Sequence, residues 1–252
     1  MLRTQKNVIL KGWRAPLCAL LFCGMTSPLQ TPANAQTPEP VLTIEYPPFL
    51  GSNLENKGIV IALMRDYAKQ NMSVDIRAVF MPPARVQKMI SDNNWCLTTY
   101  PPSKDNVLSR FVALSSQTLS LGLYRVRPRD QRSFEWEHLS DLRGSSVAVL
   151  RSYETSPFVT QIIAAGLHPV YVETVAQGFQ LMLAGRVDYA YGDNFSVDAI
   201  DDVSRQDIEF SKTHIAEANV GFYYNTNCAH RIFKNGTAPE HTRLQPDKGA
   251  SQ

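Results

Sequence analysis

Asp193 is the side chain best placed to do chemistry in this sequence. It closes Gly185-Arg-Val-Asp-Tyr-Ala-Tyr-Gly-Asp193, which reads as a turn, a strand and an acidic residue at the strand's carboxyl end. In open α/β sheets, ligands gather at the carboxyl ends of strands. Asp193 therefore suits a ligand contact, with a helix cap as the competing role. The acidic run Asp198, Asp201 and Asp202 reads instead as a solvated helix face. Groups for covalent or metal chemistry are scarce. The chain has no Gly-x-Ser-x-Gly elbow, no phosphate-binding Gly-x-x-x-x-Gly-Lys, no His-Glu-x-x-His and no Cys-x-x-Cys. His138, His168, His214, His230 and His241 are scattered without metal-ligand spacing and read as surface or capping residues. No metal and no cofactor are expected, and no enzymatic activity.

The amino end fixes the compartment. Arg3, Lys6, Lys11 and Arg14 make a positive start, and no further charge appears before Glu39. Ala15–Met25 is an apolar run too short to span a bilayer, which needs about 20 residues. Ala33-Asn34-Ala35 supplies the small-x-small pattern of a signal-peptidase site. Residues 1–35 are read as a cleaved export signal, and the exported protein as periplasmic. Lipidation at Cys23 is disfavoured by the bulk of Phe22 before it. The whole chain has 25 Lys+Arg against 23 Asp+Glu, and the signal holds four of the cations. Removing them leaves 21 against 23, so the apparent basicity belongs to the signal and implies no nucleic-acid partner. No second apolar run reaches spanning length, so no membrane insertion is expected after cleavage. Cys96 and Cys228 are the cysteines that remain. In an oxidising compartment such a pair is more often bridged than free, with two buried thiols as the alternative.

The elements that must carry these residues alternate strand and helix. Val41–Glu45 is strand-like and ends at Tyr46-Pro47-Pro48-Phe49. Ile59, Leu63 and Tyr67 recur every four residues beside Val60, Met64 and Ala68, a helix face. Val74–Phe80 is strand, Pro83 opens a helix carrying Val86, Met89 and Ile90, and Cys96–Tyr100 is strand again. After a charged stretch, Arg125–Arg132, the pattern resumes with Ser146–Leu150 and a helix capped at Ser156-Pro157, with Phe158 and Ile162 inward. A further helix opens at the capping box Thr174–Gln177. Such alternation predicts parallel sheets covered by helices. Two strand-like segments, Ser120–Tyr124 and Val220–Tyr224, bracket the second half and suggest a lobe inserted into another lobe. The expected organisation is a first lobe of 40–122 with 219–233, a second lobe of 123–218, and a polar, disordered tail of 234–252. The exported length of about 215 residues suits two lobes of about 100 each.

Taken in order, these pieces resemble the extracellular solute-binding proteins of the amino-acid-binding family (family 3), the two-lobed receptors that feed ABC importers. The matching stretches are Tyr46-Pro-Pro-Phe49, Gly58, Pro83-Ala-Arg85, Leu139-Ser-Asp-Leu-Arg-Gly144 into Val147–Leu150, Leu183-Ala-Gly-Arg-Val-Asp188, and Asp193. The resemblance implies an α/β, type II periplasmic-binding-protein-like fold with two hinge strands that bend to enclose a small polar or amphoteric solute. It implies that Asp193 receives a ligand ammonium, that Ser152 and Tyr153 lie in a loop at a helix N-terminus suited to an anion, and that Tyr46 and Tyr100 lay their rings on the ligand. Arg85 resembles an arginine that pairs with a carboxylate, against the simpler reading of a helix-surface charge. The implied partners are the solute and an ABC permease or a separate membrane sensor, with the receptor a monomer. A few relatives of this fold, the cyclohexadienyl dehydratases, do catalysis in the same cleft. The family topology also brings Cys96 and Cys228 to the outer edge of the first lobe. Two departures stand out. Where the family carries a Thr-x-x-Arg clamp for an α-carboxylate, this chain has Ser103-Lys-Asp-Asn106, with Arg110 four residues late. After Arg231-Ile-Phe the family's C-terminal helix is replaced by the polar tail.

Overall fold

Period-two strands and amphipathic helices alternate through residues 37–128, 133–152, 156–200 and 205–236, the residues that a computed structural model of the chain describes. The strands are β1 (Glu39–Thr43), β2 (Ile76–Phe80), β3 (Leu97–Thr98), β4 (Ser109–Val126), β5 (Ser146–Leu150), β6 (His168–Val172), β7 (Tyr189–Asp193), β8 (Ile208–Phe210) and β9 (Ala216–Asn225). The helices are α1 (Ile59–Asn71), α2 (Pro83–Ser91), α3 (Pro157–Ala164), α4 (Val175–Leu183) and the short α5 (Ala229–Ile232). The expected signal 1–35 and residues 237–252 lie outside the described residues.

One curled sheet runs β2-β1-β3-β9-β4-β7-β5-β6, with β8 added beside β4. Pairing is parallel within β2-β1-β3 and within β7-β5-β6, as the helical crossovers require. Between these groups stand the two antiparallel strands β4 and β9, which pass through both lobes. Val220–Tyr224 does not pair with Ser120–Tyr124: Val112 faces Phe222, while Ser120 faces Glu217. The register breaks between Ala113 and Thr118, where Leu114–Gln117 stand against Val220 alone. Such a bulge bends a strand locally. Gly221 sits beside it, where a Cβ would come 2.2 Å from the Val112 carbonyl oxygen, so the close crossing excludes a side chain.

Helix α1 buries Val60, Met64 and Ala68 of the expected face together with Ile61, while Ile59 is 49% exposed. Its neighbours on the first core include Val86 and Ile90 from α2, Leu97, Phe222 and Tyr224. In the second lobe, alternate residues of β5 enter two cores. Val147 and Val149 meet Ile162 of α3, while Ala148 meets Phe179 and Met182 of α4. The caps follow the sequence: Ser156 Oγ accepts from Val159 N at 3.2 Å, and Thr174 Oγ1 from Gln177 N at 3.2 Å. Gln177 reaches back one residue further than a standard capping box, accepting from Glu173 N.

The carboxyl end of the described chain is tied to the first lobe. Ile232 and Phe233 are buried, and Ser73 N donates to Ile232 O. Lys234 N donates to Asn71 O, and its ammonium donates to the carbonyls of Lys69 and Gln70 at the end of α1, where the helix dipole favours a cation. Lys234, the first residue of the expected tail, is thus held to the first lobe. Arg231 donates to both oxygens of Glu39, a residue only 6% exposed. Arg231→Ala strands that carboxylate and is expected to cost about 1–3 kcal/mol, toward the low end because the arginine is half in water. Urea unfolding checks this, and Glu39→Gln in the same chain should recover part of the loss.

Cys96 and Cys228 are joined, with Cα atoms 5.7 Å apart, within the range a disulfide spans. Their proximity follows from the register: β9 runs antiparallel beside β3, pairing Leu97 with Tyr224, and Asn225 N donates to Cys96 O at 2.9 Å.

Candidate ligand-binding site

The loop after β1 is built to hold Tyr46 at the carboxyl edge of the first-lobe strands. Tyr46 and Leu50 exchange both backbone hydrogen bonds, at 2.8 and 2.9 Å, around the cis Pro47-Pro48 bond. Glu45 accepts from Ser52 N with both oxygens, and Phe49 O accepts from Val60 N, pinning the loop to the start of α1. Gly58 makes that approach possible: its φ is +94°, and a Cβ would lie 2.4 Å from Phe49 O. Gly58→Ala is expected to cost about 1–3 kcal/mol of backbone strain and to displace Tyr46. Thermal denaturation reads the first effect, and an unchanged melting temperature would contradict the account of the loop.

Tyr100 leaves β3 at the same edge, its N–H held by Thr98 Oγ1 at 3.0 Å. Opposite them, Asp193 ends β7 and is fully buried. Its Oδ1 accepts from Phe195 N at 2.7 Å, and its Oδ2 from Ser196 Oγ at 2.8 Å. Ser196 Oγ in turn accepts from Asp193 N at 3.0 Å, and Tyr124 Oη donates to Asp193 O at 2.7 Å. The capping role is thus occupied: Asp193 fastens the turn that leads into Ser196–Ala199. From the first lobe, Tyr46 stands near Asp193: burial first, and then that carboxylate, raise its phenol. Phe49 meets Phe195 edge-on, with ring centroids 6.0 Å apart. The two lobes therefore touch at Phe49 and Phe195, beside Tyr46 and Asp193.

Several buried phenols of the two lobes hold their protons tightly. Burial, and then the Asp193 carboxylate, push Tyr46 and Tyr191 well above the ordinary phenol range. Burial alone raises Tyr100, and it pushes Tyr223 up to about 12. Phe158, on the first turn of α3, tilts over Tyr191 at 4.3 Å. Unfolded, these phenols release protons near pH 10.0, while folded they retain them, so alkali favours unfolding. Their stabilising effect is complete below about pH 10 and falls by about 1.4 kcal/mol per pH unit per phenol above it. Tyrosinate absorbance is expected to emerge together with alkaline unfolding, and a smooth titration of these phenols in folded protein would contradict their burial.

Tyr46 thus neighbours Asp193 across the lobes, and Tyr100 follows β3 at the carboxyl edge of the first lobe. Arg85 is exposed on the first turn of α2 and makes no ion pair among the described residues. Ser152 is half-buried two residues beyond β5, and Tyr153 lies outside the described residues. The N-terminus of α3 beside them already has its own cap in Ser156. Sequence reasoning passed over Tyr191, Ser196 and Tyr223. Strand period alone signals Tyr191, which stands two residues before Asp193 and shares its face. Arg110, the late arginine, donates to the carbonyls of Val107 and Ser109 at 2.8 Å each. Among the described residues, no histidine, cysteine and carboxylate cluster is suited to a metal, and no helix is long and apolar enough to cross a membrane.

No protein-family model and no curated protein matches the chain. Solved structures do. The GluR0 ligand-binding core from Nostoc punctiforme, in complex with L-glutamate, is 19% identical, with a TM-score of 0.58 over 77% of this chain and 88% of that one. An ancestral arginine-binding protein bound to arginine is 19% identical, with a TM-score of 0.58 over 76% of this chain and 85% of that one. A histidine kinase sensor domain with similarity to periplasmic binding proteins is 18% identical, with a TM-score of 0.58 over 76% and 83%. At these identities the likeness is one of architecture, and the chain has the two-lobe α/β fold of periplasmic binding proteins.

Proposed function

We propose that this protein is an exported solute receptor, which encloses a small polar or amphoteric molecule between its lobes without chemistry or cofactor. The observation that carries the reading is the meeting of the two lobes beside Tyr46 and Asp193, where Phe49 faces Phe195 edge-on, across paired strands with a bulge at their crossing. The domain bounds proposed are those of the sequence, with the first lobe extended to include Lys234. Signal cleavage after Ala35 would leave Gln36 as the first residue in the periplasm, and delivery to an ABC permease would be the purpose of binding. Intact mass from a periplasmic extract tests the cleavage, and a lipid-modified Cys23 would overturn it.

A second reading has one finding in its favour: the likeness to a sensor domain suits a receptor that hands its ligand-bound form to a separate membrane sensor. Both readings require ligand binding. A thermal-shift screen against amino acids, small carboxylates, amines and sugars tests that common requirement, because a ligand that binds only the folded state raises the melting temperature. A ligand at a hundred times its Kd adds about 2.7 kcal/mol. No shift from any class would overturn the receptor reading.

A further inference from the structure

The first lobe carries a second concavity, reached from the amino ends of β1 and β3, whereas Tyr46 and Tyr100 follow the carboxyl ends of the same strands. In the parallel register Leu42 of β1 stands beside Val79 of β2, so the two share one face of the sheet. Between that face and the end of α2 lies a cavity of about 360 Å³, whose walls include Leu42, Val79, Met81, Met89 and Trp95. The two methionines make those walls adaptable to an irregular apolar body.

Three charged side chains line the same cavity: Glu39, Arg77 and Arg231. Arg231 donates to both oxygens of Glu39, so these two charges offset one another. Arg77, opposite Pro40 in the register, is exposed and makes no ion pair among the described residues. An apolar interior is thus combined with one net positive charge. Trp95 points the same way independently. It is only 6% exposed, and its indole N–H has no acceptor among the described residues. Buried donors in native proteins are nearly always paired, and an indole can only donate. A ligand oxygen is the acceptor this N–H lacks. A ligand cation would meet Arg77 while the carboxylate of Glu39 is already engaged, and a hydrocarbon would leave both Arg77 and the indole unused.

We propose that this cavity binds an apolar organic monocarboxylate, an aryl-substituted or medium-chain alkyl acid. Arg77 takes its carboxylate, the Trp95 N–H is a second donor, and its carbon body lies against Leu42, Val79 and the two methionines. The site is separate from the interlobe cleft and from the solute that the receptor reading requires.

Trp95 and Trp136 are the tryptophans from Gln36 onward, so Trp136→Phe leaves Trp95 as the reporter in the exported chain. Its emission is expected to change saturably with octanoate and with 3-phenylpropanoate, each at least about tenfold more tightly bound than octylamine or 1-octanol. Arg77→Ala should weaken both acids about tenfold, the loss of one charge-assisted contact, and Arg77→Lys should recover part of it. Arg85→Ala, which removes an exposed cation of the same lobe outside the cavity, should change nothing. Val79→Phe fills the cavity and should remove binding, with circular dichroism and thermal denaturation confirming the fold. No saturable change with either acid, equal affinity for the amine or the alcohol, or undiminished binding in Arg77→Ala or in folded Val79→Phe would overturn the proposal. A Trp95 signal that follows protein concentration, with a dimer in sedimentation, would assign the cavity to a second copy and overturn it as well. Each of these failures leaves the receptor reading standing.

Discussion

Asp193→Ala is expected to abolish ligand binding and, in the same step, to loosen the second lobe. Sequence placement alone predicts only the first effect, because a strand-end carboxylate facing a cleft looks expendable to the fold. The hydrogen bonds say otherwise. Alanine leaves the Phe195 N–H and the Ser196 hydroxyl without their acceptor in a buried turn. Each orphaned group costs about 1–3 kcal/mol, a large part of a typical stability of about 5–15 kcal/mol. Losing the charge-assisted ligand contact costs about 1.5–3 kcal/mol more in binding, or roughly ten- to a hundredfold in affinity. Asp193→Asn separates the two. Its amide oxygen can still accept from Phe195 N, so most of the stability should return while the charge, and with it the affinity, does not. Urea unfolding and calorimetry on both variants give the comparison. Equal stability of wild type and Asp193→Ala would contradict the capping geometry.

The second large effect is on the bridge at the far edge of the first lobe. Cys96 and Cys228 are 132 residues apart in sequence, so their bond restricts most of the unfolded chain. Chain entropy assigns such a loop about 5 kcal/mol. Replacing both cysteines by serine should lower the melting temperature by about 10–20 °C for a protein of this size. The bridge anchors β9 and α5 to β3, beside the Arg231–Glu39 pair. Non-reducing peptide mapping and thermal denaturation with and without reductant decide the matter. Free thiols in the folded protein would remove the effect entirely.

Much of this architecture is legible in the sequence because its local signals agree with its global pattern. Ser156-Pro157 and Thr174 cap the helices they announce, and β5 and β7 fall where apolar runs end in turns. The hinge was harder to read. Strand β4 extends back to Ser109 through Ser115, Ser116 and Gln117, polar residues that lack an apolar alternation because the bulge holds them at the surface. The exposure of Ile59 has a local reason. Ile59 belongs to the helical period, but it opens the helix at an exposed end, and burial passes to Val60 and Ile61. At the candidate site, strand-end placement points to Asp193 and Tyr100, and the turn to Tyr46. Tyr191 required knowing that the face of β7 carrying Asp193 turns toward the other lobe, a tertiary fact that period two alone does not supply. Arg85 shows the converse: its motif was legible, yet its side chain remains in solvent.

Hydrogen exchange measured with and without a bound solute tests the central claim most directly, because it reports both lobes at once. If the solute is enclosed between them, amides of the Tyr46–Leu50 loop and of the Asp193–Ser196 turn gain protection together, at one concentration of ligand. Protection confined to one of these segments, or appearing only along the outer face of the first lobe near Leu42 and Val79, would contradict enclosure in the cleft.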